Sequence, residues 1–287
     1  MKKLALVVSV CLLLAAGCSK PKPEAHRYDV TGEVISVDKR GRMLILKHQA
    51  IADYMGAMTM GFVVKDDWVF NVAKRGDHVQ ATLVVEGSHS WLEGIAITEA
   101  AKPDENSPAA AAVHPPEAGE SVPDFALVNQ DGRKIQKADY RGKILLLTFI
   151  YTRCPLPDYC PLMSRNFAAI ARELGGDSKL KDSVRLLSIS IDPEYDKPAV
   201  LRRYALEYAG AGSADTLNRW QFASGTPEQV RKVAEFFGLS YWKESDQIIH
   251  SLVTALIDPE GKVSKAYRGN DWKPMDVLED VRHLKGS

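Results

Sequence analysis

Cysteine is scarce in this chain: there are four in 287 residues, namely Cys11, Cys18, Cys154 and Cys160. A tetrathiolate zinc site would need all four in the mature protein. Charge of one sign is also lacking. Lys and Arg number 37 and so do Asp and Glu, for a formal net charge of zero, which gives no reason to expect nucleic acid as a partner. Long apolar runs are missing except at the start, where Leu4 to Ala16 is too short for a lasting membrane span. No internal repeat is visible.

What stands at the start is a leader. Met1-Lys2-Lys3 is a charged n-region and Leu4 to Ala16 an apolar h-region, together an export signal. The sequence Leu14-Ala15-Ala16-Gly17-Cys18 resembles a bacterial lipobox. That resemblance implies that residues 1–17 are removed and that Cys18 becomes the lipidated first residue. The expected location is therefore a membrane of the cell envelope, with the chain lipid-anchored and facing the periplasm. Cys11 then leaves with the leader and Cys18 is acylated, so Cys154 and Cys160 remain as a pair where thiols tend to oxidise.

Residues 18–27, rich in Lys and Pro, read as a tether. Residues 28–100 read as all-β, with runs at 30–37, 43–48, 59–64, 79–85 and 91–98 separated by turn signals such as Asp38-Lys39-Arg40-Gly41 and Glu86-Gly87-Ser88. Short strands at that density predict a small barrel, which removes most sheet edges. Residues 101–120 hold several prolines and almost no large apolar side chain, the composition of a linker. Residues 121–287 alternate strands with helices. Strands are expected at 184–191, 220–223, 252–257 and 263–267, and helices at 198–208, 227–237 and 274–284, with Asp258-Pro259-Glu260-Gly261 as a hairpin turn. The predicted fold class is an α/β thioredoxin-like domain preceded by a small all-β barrel of OB-like type.

The α/β half is organised around the two cysteines. Lys143 to Tyr151 is a nearly continuous apolar run, as in a strand buried on both faces. After the cysteines, Pro161 suits the first turn of a helix, and Leu162, Met163, Phe167, Ile170 and Leu174 recur near a 3.6-residue period. Cys160 is therefore expected at a helix entrance, where unpaired N–H groups favour a thiolate, and Cys154 on a loop stiffened by Pro155 and Pro157. Such a dithiol can exchange with another disulfide or bind a soft metal ion. A purely structural disulfide is the bland alternative, although closing so short a loop gains little entropy. Five residues separate the cysteines, a spacing that suits a chelate at least as well as a tight redox bridge. His250, on a loop before a strand of the same sheet, is the candidate third ligand. A histidine there could equally be a hydrogen-bonded structural residue.

Residues 121–287 resemble the SCO/SenC family of copper chaperones in V-P-D-F-A-L, in F-I-Y-T-R-C-P, in S-I-S-I-D-P-E and in a histidine ahead of V-T-A-L-I-D-P-E-G-K-V. The resemblance implies a thioredoxin-like fold that binds copper through Cys154, Cys160 and His250 and delivers it to the binuclear copper centre of cytochrome c oxidase. The family usually places three residues between the cysteines, and this chain departs from that. Asp192, in I-D-P-E, could support the metal site or cap a helix.

The β-rich half carries a second constellation. Met58 and Met60 alternate along an expected strand, so both thioethers share a face, and His48 ends the preceding strand. Thioethers and imidazole select Cu(I). Taken singly, each residue is more often a core methionine or a surface histidine. The segment K-H-Q-A-I-A-D-Y-M-G-A-M-T-M-G-F, with G-D-H-V-Q-A-T-L-V-V and S-W-L-E-G-I, resembles the periplasmic copper-binding domain of the CusF type. This implies copper ligation by His48, Met58 and Met60. The family has a tryptophan three residues before the first of these methionines, whereas this chain has Met55, an extra thioether. Trp91 is expected in the core.

The sequence thus reads as a metallochaperone rather than an enzyme. Its cargo is copper, Cu(I) at the first site, with Cu(II) left open at the Cys/Cys/His site. The expected partners are oxidase subunit II or another cuproprotein, and a membrane through the lipid. The rival is a periplasmic thiol–disulfide oxidoreductase using Cys154 and Cys160 to keep client cysteines reduced. A peroxiredoxin-like peroxidase is disfavoured by the residues before the cysteine, and copper storage would need only the first site.

Overall fold

The structure, a computed structural model, describes residues 24–87, 89–101, 116–210, 214–244 and 247–286. The expected leader, Cys18 and most of the expected linker lie outside the described residues. Among the described residues no helix is long and apolar enough to cross a membrane.

The N-terminal sheet is built from β1 (Ala25–Asp38), β2 (Met43–His48), β3 (Met58–Val63), β4 (His78–Glu86) and β5 (His89–Glu99), with one helical turn, α1 (Val69–Val72), after β3. All pairings are antiparallel and the order is β3-β2-β1-β4-β5. Each expected strand coincides with one of these, the third running one residue past the end of β3. The sheet is not fully closed. β3 and β5 are the sheet edges, and among the described residues their backbones pair only through an isolated bridge between Val64, just past β3, and Leu92, so this is an open barrel of the OB-like type. Curvature comes from bulges at Val34/Ser36 in β1 and at two points of the β4–β5 ladder, which bend a strand by inserting an unpaired residue.

The second sheet holds β6 (Ala126–Asn129), β7 (Lys134–Gln136), β8 (Ile144–Ile150), β9 (Val184–Ser190), β10 (Trp220–Ser224), β13 (Val253–Ile257) and β14 (Val263–Arg268), while β11 (Tyr241–Glu244) and β12 (Gln247–His250) form a separate hairpin. Its order is β14-β13-β8-β9-β10-β6-β7. The centre β8-β9-β10 is parallel and the flanks are antiparallel. Every residue of β8 is buried, as its unbroken apolar run requires of a strand covered on both faces. The helices are α2 (Cys160–Gly176), α3 (Pro198–Ala209), α4 (Ala214–Arg219), α5 (Pro227–Phe236) and α6 (Pro274–Gly286). α2 lays Leu162, Met163, Phe167, Ile170 and Leu174 into the core and packs on α3, α4 and α6. α5 opens on a capping box in which Thr226 and Gln229 satisfy each other's backbone N–H groups. Asp258 to Gly261 turns β13 into β14, with Gly261 at φ 81°, a left-handed conformation that glycine takes without penalty.

The sequence reading passes over α1, α4, the β6–β7 pair and the β11–β12 hairpin, all short. The buried residues of the two halves form one contiguous apolar cluster that includes Met43, Val63, Tyr159 and Ile248.

Candidate metal centre

Three chemistry-bearing residues converge where β8 runs into α2. The chain leaves β8 at Ile150, and Tyr151 and Thr152 carry it into the cysteine loop. Two buried carboxylates hold the loop's first residues. Asp196 accepts from the Thr152 backbone N–H at 3.0 Å, from the Thr152 hydroxyl at 2.5 Å and from the Ser190 hydroxyl at 2.5 Å. Asp192 accepts from Arg153 Nε at 2.7 Å. Asp192 is thus tied to the neighbour of Cys154 and caps no helix; the residue preceding α3 is Lys197.

Cys160 opens α2 with Pro161 directly behind it. The third residue, His250, is the last of β12, paired with Tyr241, rather than part of a loop. The Sγ atoms of Cys154 and Cys160 and a ring nitrogen of His250 all lie within 4.8 Å of one another. Cys160 Sγ is 3.5 Å from His250 Nε2 and accepts from the Tyr151 N–H at 3.4 Å. His250 Nδ1 lies 2.8 Å from the Ser251 carbonyl oxygen. A carbonyl can only accept, so Nδ1 carries the proton and the Nε2 lone pair faces the sulfurs. Tyr151 and Tyr159 close on the imidazole edge-on, with ring centroids 5.7 and 5.6 Å away. Both cysteines are free thiols.

The expected thiolate at Cys160 is not what this geometry favours. Cys160 is fully buried, and loss of hydration pushes its thiol well above the usual range, further raised by its neighbour Cys154. Burial outweighs the helix-terminus field here. Cys154, half-buried on the loop, is held well below the ordinary thiol value chiefly by the hydrogen bond from Cys160. The reduced pair therefore shares one proton, with the negative charge on Cys154. Such a trio offers two soft sulfurs and one imidazole, a donor set that selects Cu(I) or Cu(II) over hard cations.

The second constellation lies in the open barrel. The β2–β3 ladder pairs His48 with Met58 and Leu46 with Met60, so His48, Met58 and Met60 share one face. His48 and Met60 are buried and Met58 is half-buried. His48 Nδ1 is 2.6 Å from the Gln49 carbonyl, while its buried Nε2 has no hydrogen-bond partner. Burial holds this imidazole below its usual pKa, hence neutral. An orphaned, neutral Nε2 beside thioethers fits a soft metal ion. Met55, half-buried, sits in the turn before β3, where it bridges to Ile51. Trp91 is not in the core: it is half-buried, donates to Glu93 at 2.7 Å and carries the Lys65 ammonium 3.3 Å over its ring.

Sequence reasoning missed Tyr151, Tyr159, Asp158 and Asp196 around the thiols. The available signal was an aromatic residue directly before each bend of the loop, and a second aspartate four residues after Asp192.

Comparison with known proteins covers both halves. Residues 113–286 match the SCO1/SenC family model, and residues 27–97 match the model of the copper binding periplasmic protein CusF. The SCO1 protein homolog of Bacillus subtilis (strain 168) is 31% identical over 169 residues, covering 56% of this chain and 81% of that one. The mitochondrial SCO1 homolog of Homo sapiens is 29% identical over 167 residues, 56% of this chain and only 52% of its own length. Among solved structures, a SCO1/SenC family lipoprotein from Bacillus anthracis str. Ames aligns with a TM-score of 0.51 at 27% identity, over 58% of this chain and 95% of that one. BsSco, described as a member of the Sco family of cytochrome c oxidase assembly proteins, aligns with a TM-score of 0.50 at 28% identity, over 60% of this chain and 98% of its own.

Proposed function

The chain belongs to the SCO1/SenC family, with a CusF-type region ahead of it, and from that premise we propose that it is a copper chaperone. It takes Cu(I) at His48, Met58 and Met60, passes it to Cys154, Cys160 and His250, and from there loads the binuclear copper centre of cytochrome c oxidase. The observation that carries this reading is the Nε2 lone pair of His250 aimed at two sulfurs in one cluster. Disulfide exchange needs no third ligand, whereas a chelate does.

Each element has a stated part. Cys154 arrives as a thiolate and attracts the cation first, since its proton is already gone. Cys160 releases its proton as the second sulfur binds. His250 completes the set with its orientation already fixed by Ser251. The two sites sit on one chain, joined by about twenty residues of linker, which corresponds to an effective concentration of about millimolar. The barrel therefore competes well with free ligands for supplying the second site. Lipidation at Cys18 would hold both sites at the membrane that carries the oxidase.

One observation favours a second reading. A low-pKa Cys154 next to a buried thiol is also the arrangement of a disulfide reductant. Copper stoichiometry separates the two. The reduced chain is expected to bind two ions, and Cys154→Ala with Cys160→Ala, or His250→Ala, is expected to lose one. Unchanged copper binding in these variants, with reductase activity lost in the dithiol variant, would make the α/β half an oxidoreductase.

A further inference from the structure

The five residues between the cysteines do more than separate sulfurs. Asp158 and Tyr159 are 7% and 3% exposed although they sit on a proline-bearing surface loop. They meet the open barrel. The Tyr159 hydroxyl donates to the carbonyl of Gly61 in β3, and the Asp158 carboxylate accepts from the Ser90 hydroxyl in β5. The Asp158 carbonyl accepts from Asn270 Nδ2 at 3.0 Å, which holds the loop from its other side. Next to them, Thr59 Oγ1 in β3 donates to Glu244 in β11 at 2.9 Å, and β3 packs against β12, the strand that ends in His250.

The ladder register sorts the hairpin's side chains. Met58 and Met60 share one face with His48 and Leu46, and the opposite face carries Met43, Ile45, Thr59, Gly61 and Val63. In a barrel standing alone that outward face would meet water. Here Met43 and Ile45 are 0% and 1% exposed, Thr59 is 3% and Val63 is 9%. At Gly61 there is no room for a side chain: a Cβ there would lie 2.5 Å from Tyr159 Oη across the junction and 2.6 Å from Met43 Cε. The two sets of copper ligands consequently lie on opposite sides of β3. A copper ion on the methionine face does not see the thiols in this arrangement.

We propose that the outward face of the β2–β3 hairpin is a docking surface for the cysteine loop of the same chain, with Asp158 and Tyr159 as the latch, and that the docked barrel shields the Cys/Cys/His centre until it releases. Tyr159 is a positioning residue in this device, since the ring whose hydroxyl holds Gly61 also lies edge-on against His250. Copper passes between the sites, and on to an acceptor, only in the released state. That last consequence rests on the chaperone reading; the docking stands on the contacts alone.

The test uses the reduced, metal-free full chain and follows alkylation of Cys154 and Cys160 under native conditions by peptide mapping. Wild type is compared with Gly61→Ala, with Tyr159→Phe and with the two combined. Gly61→Ala is expected to raise the Cys154 labelling rate about tenfold or more, because the new methyl displaces the phenol and leaves buried polar groups unpaired. Tyr159→Phe alone raises it less. The combined variant labels more slowly than Gly61→Ala, since removing the hydroxyl removes one of the two atoms the methyl strikes and the other, Met43 Cε, is the end of a flexible side chain, a rescue that general destabilisation would not produce. Equal rates in all four proteins would overturn the latch. Should Gly61→Ala fail to fold, Tyr159→Phe with Ser90→Ala decides, because it deletes both hydroxyls and adds no atom: faster labelling sustains the latch and an unchanged rate overturns it. Copper stoichiometry measured alongside fails independently, and its failure would remove the chaperone reading while leaving the labelling result to judge the docking.

Discussion

Loading the Cys/Cys/His centre with Cu(I) is expected to release about one proton per ion at neutral pH. The value follows from where the protons sit. Cys154 is held well below its ordinary range, so it has no proton to give, whereas buried Cys160 is pushed well above its own and must lose one to bind. The Nδ1–H of His250 stays on the Ser251 carbonyl when the ring binds through Nε2. Because a proton is displaced, raising the pH favours binding. The apparent affinity should climb about tenfold per pH unit, or about 2 kcal/mol between pH 6.5 and 8. Competition with a Cu(I) chelator across that range gives the slope, and titration in two buffers of different ionisation enthalpy counts the protons directly. The first site must be silenced with Met58→Ala and Met60→Ala so that one centre is read. A slope near two would mean that both thiols are protonated in the free protein, and a slope near zero that neither is. Either result would refute the assignment of charge within the pair.

Three further outcomes follow from the same contacts. Asp196→Ala leaves the Thr152 N–H, the Thr152 hydroxyl and the Ser190 hydroxyl without their acceptor in a buried place; unfolding by denaturant should show a loss of about 3 kcal/mol. Met60→Ala removes a side chain that is 3% exposed and should cost about 2–4 kcal/mol by the same assay, clearly more than Met58→Ala at its half-buried position. Both methionine changes should weaken Cu(I) binding at the barrel, so a stability loss without an affinity loss would separate core packing from ligation.

Much of the fold was legible because its signals are local. The alternation and turn residues of residues 28–100 located all five barrel strands, and Ile144–Ile150 declared itself as a central strand by being apolar throughout. The helical stripe behind Cys160 was equally plain. Short elements such as β11 and β12 carry too few residues for a period to show, and for that reason His250 was expected on a loop. How far the barrel closes is not legible in the sequence: turn spacing reports how many strands there are, not whether the last pairs with the first. Trp91, expected in the core, is half-buried, because its indole N–H needs a partner and Glu93 offers one at the surface.

Within the candidate site the division is similar. The sequence by itself determined the cast: two thiols around a strand-to-helix junction, one histidine 90 residues after the second of them, and a methionine pair alternating on a strand that follows one ending in a histidine. Those choices are written in residue type and spacing, which folding does not alter. The tertiary structure alone decided which sulfur bears the charge, because burial sums over neighbours from every element around the thiols. It also decided that Tyr159 reaches Gly61 across 98 residues of chain, and that β3 turns its methionines one way and its glycine the other, toward the thiols. Contacts of that separation are set by how two sheets pack, and no local pattern encodes them.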